Sequence, residues 1–221
     1  MFMAEISAKI VQDLRSSTGA GMMDCKKALA EANGDMDLAI EILRKKGLKD
    51  LGKRAGKVAA EGMIGIYNHH GDQVAALVEL NCETDFVARG DEFRALARAL
   101  AMQVAAMNPK YVSEESVPAE VIAKEKEIAL EQLDEKQKAM ADKILPGRIK
   151  KYFEDNCLLN QIYIKDESGK LTVKELLENM SVKTGEKVGV RRFQRFEVGE
   201  GIAIETANFA DEVASMVTVK N

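Results

Sequence analysis

Met63-Ile64-Gly65-Ile66-Tyr67 and Val74-Ala75-Ala76-Leu77-Val78-Glu79-Leu80, parted by Asn68-His69-His70-Gly71-Asp72, decide the fold class. Both runs are β-prone and the five residues between them are polar turn formers, so the segment predicts an antiparallel hairpin. The second run is almost continuously apolar, which marks an interior strand. Downstream, Asp91 to Met107 changes period: Phe93, Leu96, Leu100 and Val104 recur every three or four residues up to an Asn108-Pro109 stop. That spacing predicts a helix lying on one face of the sheet. Val188 to Val198 supplies a third strand, with Val190, Arg192, Gln194 and Phe196 alternating against Arg191, Phe193 and Arg195.

Upstream, residues 5 to 46 read as three short helices. Ile6, Ile10, Val11 and Leu14 share one face of the first. After the turn Thr18-Gly19-Ala20-Gly21, Asp24 caps a second helix that ends in a left-handed cap at Asn33-Gly34. Asp35 starts a third, with Leu38, Ile42 and Leu43 as its apolar stripe, Arg44, Lys45 and Lys46 at its C-terminal end, and Gly47 as its stop. The expected organisation is therefore a three-helix domain over 1–46, a semi-flexible basic linker over 47–57, and an α+β core over 58–221. Within that core, residues 117 to about 143 read as charged amphipathic helices forming a projecting hairpin around 117–153, broken at Pro146-Gly147. A short helix from Val173 to Met180 and a last one around Phe209 to Met216 complete an arrangement of helices on a small antiparallel sheet of about three strands.

Composition removes several classes of function. The 221 residues are 46% apolar and 31% charged, with no run long and apolar enough to cross a bilayer. Met1 to Glu5 lack the flank and core of a secretory signal, so a cytoplasmic protein is expected. Cys25, Cys82 and Cys157 are odd in number and form no C-x-x-C pair, which favours reduced thiols; adjacent His69 and His70 have no partners at zinc spacing, so no metal is expected. The net charge of −4 offers phosphate backbones no general attraction. The basic stretch Arg44 to Lys57 carries no aromatic residue for bases to stack on, and reads better as a solvated helix end than as a nucleic-acid site. No phosphate-binding glycine loop of familiar spacing occurs, since Gly19 and Gly21 precede Met22-Met23-Asp24 and lack a lysine. Cys82 as a nucleophile would need a histidine held by a third group, so it reads as a buried strand residue. No catalytic residue and no cofactor is expected.

Asn81-Cys82-Glu83-Thr84-Asp85-Phe86-Val87-Ala88-Arg89 joins the apolar strand to the helix from Asp91, a place from which a rigid scaffold can present side chains. The residues alone favour a plain outcome, with Phe86 in the core, Asp85 satisfying turn amides and Arg89 on the surface. Glu79 to Ala88, however, resembles the Thr-Asp-Phe-Val signature of the elongation factor Ts family. Glu5 to Leu43, with Thr18-Gly19-Ala20-Gly21-Met22-Met23-Asp24-Cys25-Lys26-Lys27-Ala28-Leu29, resembles that family's N-terminal helical domain, itself similar to ubiquitin-associated domains. Arg195 to Gly201 resembles its late core strand. The three blocks span nearly the whole chain in the family's order.

The resemblance implies a guanine-nucleotide exchange factor in translation elongation rather than an enzyme. It implies that Thr84, Asp85, Phe86 and Val87 act on the GTPase elongation factor Tu, with Asp85 and Phe86 entering near its magnesium and phosphate site, until GTP displaces the factor. It also implicates Arg15, Met22 and Met23 in holding the same partner, although at least one methionine is equally readable as core of the three-helix domain. Longer family members resemble a duplicated core. This chain has room for one hairpin, so the short form is implied, with a homodimer expected by analogy and no nucleic-acid or membrane partner. Other functions remain in view: a ubiquitin-associated-like binding module on an unrelated scaffold, a nucleic-acid binder working through Arg44 to Lys57, and a cysteine enzyme built on Cys82.

Overall fold

The computed structural model describes residues 7–18, 20–54 and 56–202, with side chains described throughout except at 48–54. Three helices come first: α1 (Ala8–Thr18), α2 (Met22–Glu31) and α3 (Met36–Arg54). They bury a core of their own made of Val11, Leu14, Cys25, Ala28, Leu29, Ala32, Ala39 and Leu43, with Ile10 and Ile42 packed against it. The left-handed turn at Asn33 (φ 52°) and Gly34 (φ 86°) follows α2 as expected, and Asp35 Oδ1 accepts the Leu38 amide at 2.9 Å to start α3. Gly21, not Asp24, is the N-cap of α2; Asp24 sits in the first turn, where its carboxylate takes Lys46 Nζ at 2.5 Å. Leu38 lies outside the stripe at 43% exposure and the wholly buried Ala39 takes its place.

The sheet is antiparallel, in the order β1-β2-β3: β1 (Glu61–Asn68), β2 (Val74–Cys82) and β3 (Gly189–Glu197). The interior position of β2 and the third strand at β3 agree with the sequence. Between β1 and β2, the Asp72 amide donates to His69 O at 3.0 Å and the His69 amide to Val74 O at 2.8 Å, with Gly71 (φ 94°) and Asp72 (φ 57°) left-handed. The expected alternation of β3 is interrupted. Glu79 pairs with Arg192 but Leu80 with Val190, so Arg191 is an extra residue opposite the central strand. The bulge turns Val190 to the core side with Phe193 and leaves Arg192, Gln194 and Phe196 on the other face, while Glu79 takes both Arg191 (2.9 Å) and Arg192 (2.6 Å).

Helix α5 (Asp91–Met107) covers one face of this sheet, burying Phe93, Leu96, Leu100 and Val104 against Ala76, Val78, Leu80 and Cys82. Full burial of each large side chain is worth roughly 1.5–3 kcal/mol, so this layer contributes substantially to stability. The approach is close because Gly65 lies under the helix: a Cβ there would fall 2.1 Å from the Ala97 carbonyl oxygen. Gln103, wholly buried on α5, donates to Gln161 Oε1 (3.2 Å) and Ile162 O (3.0 Å) and accepts from the Ile164 amide (2.8 Å). It fastens the sheet's helix to the loop that precedes α9 (Val173–Thr184).

Three helix boundaries differ from expectation. Gly47 does not stop α3, so most of the anticipated linker is helical through Arg54. A Cβ at Gly47 would stand 2.7 Å from Val182 Cγ2, so glycine permits α3 to lie against α9, and that contact offsets the ~1 kcal/mol helix penalty of glycine. Pro146-Gly147 does not break the charged hairpin either: α6 (Ala119–Glu131), a single turn α7 (Glu135–Lys138) and α8 (Ala141–Asn156) follow in order, with Pro146 inside α8. Asp142 and Pro146 are exposed, so water can take the carbonyl that proline leaves unbonded, and packing of α6 on α8 carries the helix through. Last, α9 continues past Met180 to Thr184, where left-handed Gly185 (φ 70°) caps it. The expected helix at 209–216, and Ile6, lie outside the described residues. No helix among the described residues is long and apolar enough to cross a membrane.

Gly65→Ala should therefore lower unfolding free energy by about 2 kcal/mol, the usual cost of forcing extra volume into a packed layer, as read by urea denaturation. An unchanged midpoint would contradict the close approach of α5.

Candidate functional site

Strand β2 ends at Cys82 and α5 begins at Asp91, and the intervening residues make a tight corner. The one-turn helix α4 (Asp85–Ala88) occupies it. Thr84 is the N-cap, in extended conformation, its hydroxyl oxygen accepting the Val87 amide at 3.4 Å. Val87 turns inward onto the core and Ala88 is buried, which anchors the turn from below. Asp85 and Phe86 point the other way. Phe86 is 85% exposed, the most exposed of the large apolar side chains among the described residues, so the plain outcome in which it joins the core is overturned. Val87 and Ala88 take the inward positions of α4 instead. Asp85 holds an exposed ion pair with Arg89, one helical turn on, at 2.9 Å. Such surface pairs contribute a few tenths of a kcal/mol, so a partner could displace this one at little cost.

A second chain segment braces the corner. Glu186, from the loop between α9 and β3, accepts the Glu83 amide (3.1 Å) and the Thr84 amide (3.0 Å) on Oε2 and the Thr84 hydroxyl (2.6 Å) on Oε1. In return Glu83 accepts the Lys187 amide at 2.7 Å and Lys57 Nζ at 3.0 Å. Nothing local in the sequence marks Glu186. Its partners lie more than a hundred residues away, and only the folded register of β2 and β3 brings them together.

Cys82 is a buried strand residue as expected, its thiol donating to Thr84 O at 3.1 Å. Burial first, and then the Glu186 carboxylate, push that thiol up to about 11. Cys157 is likewise buried and raised to about 11, chiefly by desolvation. Both shifts favour the neutral thiol over the thiolate, the form in which cysteine is nucleophilic. No cluster of three or more His, Cys, Asp or Glu side chains able to hold a metal occurs among the described residues.

Arg15, Met22 and Met23 stand apart from this corner, on α1 and at the start of α2. All three are exposed, the methionines at 40% and 64%, so neither methionine belongs to the three-helix core. In the basic stretch, Lys45 pairs with Glu41, Arg44 with Glu175, Lys46 with Asp24 and Lys57 with Glu83. Each of these four cations meets one of the protein's own carboxylates.

The fold and the corner together define a presenting scaffold: a sheet and helix that hold an acid and an aromatic ring out in water. The sequence profile of the family described as Elongation factor TS matches residues 8–200. Proteins named Elongation factor Ts from Carboxydothermus hydrogenoformans (52% identical over 97% of this chain and 99% of that one), Moorella thermoacetica (57%; 89% and 97%) and Prochlorococcus marinus (53%; 98% and 100%) are similar along nearly their whole length. The chain belongs to the elongation factor Ts family. Membership implies nucleotide exchange on elongation factor Tu during translation elongation.

With a pKa about 11, roughly one Cys82 thiol in a thousand is ionised at pH 8. All three cysteines are buried, so a thiol reagent such as dithionitrobenzoate should label the native chain very slowly and react fully only in guanidinium. Rapid native labelling of Cys82 would contradict the burial.

Proposed function

We propose that the chain binds elongation factor Tu carrying GDP and speeds GDP release by driving Asp85 and Phe86 into the surroundings of the magnesium ion and phosphates. The observation that carries this reading is the exposure of Phe86 on a turn anchored from beneath. An isolated exposed aromatic ring is a loss for the free protein, and a partner cavity that buries it recovers roughly 1.5–3 kcal/mol. Asp85 brings negative charge and acceptor oxygens toward a site where a cation and loop amides hold the nucleotide's phosphates. A wedge that moves those loops weakens several contacts at once.

Exchange then follows from competition between two arrangements of the GTPase site. Each 1.4 kcal/mol of coupling weakens GDP about tenfold, and linkage requires incoming GTP to weaken the factor's grip by the same factor. The factor leaves unchanged, with no bond made or broken by its side chains. Thr84 and Val87 serve by holding the turn, and exposed Arg15, Met22 and Met23 give the three-helix unit a second, adaptable contact with the GTPase. The work belongs in the cytoplasm, with the protein partner as its target.

A homodimer is part of the same proposal. The sheet face opposite α5 leaves Ile64 (47%), Ile66 (63%), Leu77 (39%) and Phe196 (59%) exposed on three adjacent strands. A second copy laying the same face on this one would bury an apolar surface that a lone sheet leaves in water.

In an assay of fluorescent GDP release from elongation factor Tu, Asp85→Ala/Phe86→Ala should lose most of the acceleration, and normal exchange would refute the assigned role. Because Phe86 is exposed, Phe86→Ala should change stability by less than ~0.5 kcal/mol, as measured by urea unfolding. Light scattering at micromolar concentration should give twice the 24.3 kDa chain mass, and Ile66→Glu/Phe196→Glu should halve it. A monomeric mass for the unmodified chain is incompatible with the dimer.

A further inference from the structure

We propose that Glu186 is a positioning residue for exchange: its carboxylate, reaching across from the α9–β3 loop, sets the angle at which α4 offers Asp85 and Phe86. The inference rests on the reading of that pair as the wedge. The Glu186 carboxylate gathers three donors from two consecutive residues, the amides of Glu83 and Thr84 and the Thr84 hydroxyl. These are charge-assisted bonds, the stronger kind, and together they fix both backbone direction and side-chain rotamer at the N-cap. Thr84 Oγ1 is thereby committed twice, donating its proton to Glu186 and accepting the Val87 amide from within α4. The orientation of a one-turn helix depends on its cap, because it has too few internal hydrogen bonds to hold its own axis.

The brace is also two-way. Lys187, next to Glu186, donates its amide to Glu83 and its Nζ to Lys57 O, while Lys57 Nζ donates to Glu83. Corner and loop are therefore tied together at several points, as a wedge requires if partner loops are to yield before it does. Glu186 touches neither the nucleotide nor its metal in this scheme. It acts only through Thr84.

The test measures fluorescent GDP release from elongation factor Tu over a range of factor concentrations, separating the saturating rate from the half-saturating concentration. Glu186→Ala should lower the saturating rate about tenfold and leave the half-saturating concentration within about twofold. Glu186→Gln keeps an acceptor for the two amides but turns an NH2 toward Thr84 Oγ1, so that the hydroxyl accepts where it had donated; with the backbone bonds kept, its rate should stay within about threefold of the unmodified chain. A role confined to overall stability gives a different pattern: partial unfolding dilutes active factor, so adding more protein restores the full saturating rate. Should Glu186→Ala fail to fold, Glu186→Asp keeps the charge but is one methylene short of the corner, and it too should lower the saturating rate. An undiminished saturating rate in the folded alanine or aspartate variant overturns the inference. Asp85→Ala/Phe86→Ala, measured alongside, separates the two failures: loss of exchange there with an intact Glu186→Ala rate leaves the wedge standing without its brace. Full exchange by that double variant removes the wedge itself, and the brace with it.

Discussion

An aromatic ring kept in water by its own protein needs a structure stiff enough to prevent its collapse onto the surface. Here the stiffness comes from the corner between β2 and α5. The chain must leave a strand with one buried face and enter a helix with one buried face within a few residues, and every backbone amide on the way needs a partner. Thr84 caps the turn, Glu186 satisfies two amides of the approach, and Val87 and Ala88 plug the space below. Once those demands are met, Asp85 and Phe86 have only the outward direction left. Presentation of the pair is thus a consequence of how the core closes.

That core depends in turn on the close passage of α5 over Gly65, and on α5 being tied to the loop before α9 by Gln103. The chain reaches β3 through α9 and the Gly185 cap, which delivers Glu186 to the corner. Residues far apart in sequence therefore share one task. The three-helix unit, with its separate core, is attached through α3 on α9 by the Arg44–Glu175 pair and the Gly47–Val182 approach.

Much of this was legible beforehand because periodicity is a local property. The hairpin at 61–82, the helix at 91–107 and the strand at 189–197 each announce themselves in their own residues. Glycine and proline were read less well. Gly47 and Pro146 carry the same local signals as true helix ends, and only packing partners, Val182 for one and α6 for the other, reveal that the helix continues. The bulge at Arg191 was hidden for a related reason: alternation specifies faces only while register holds, and the register shifts opposite Glu79. Phe86 is marked out by resemblance to a family signature, whereas the turn residues alone favour a core ring; the structure places it in water. Glu186 offered no signal, since its meaning lies wholly in contacts formed across a hundred residues.

In the proposed function, the ring at the corner enters the partner's metal and phosphate cradle. The most direct measurement places a photoreactive benzoylphenylalanine at position 86, irradiates the complex with nucleotide-free elongation factor Tu, and maps the attachment by mass spectrometry. The account predicts crosslinks confined to the segments that surround the magnesium and phosphates, and their disappearance as GDP and magnesium are added in excess. Attachment elsewhere on the GTPase, or labelling indifferent to nucleotide, would contradict it.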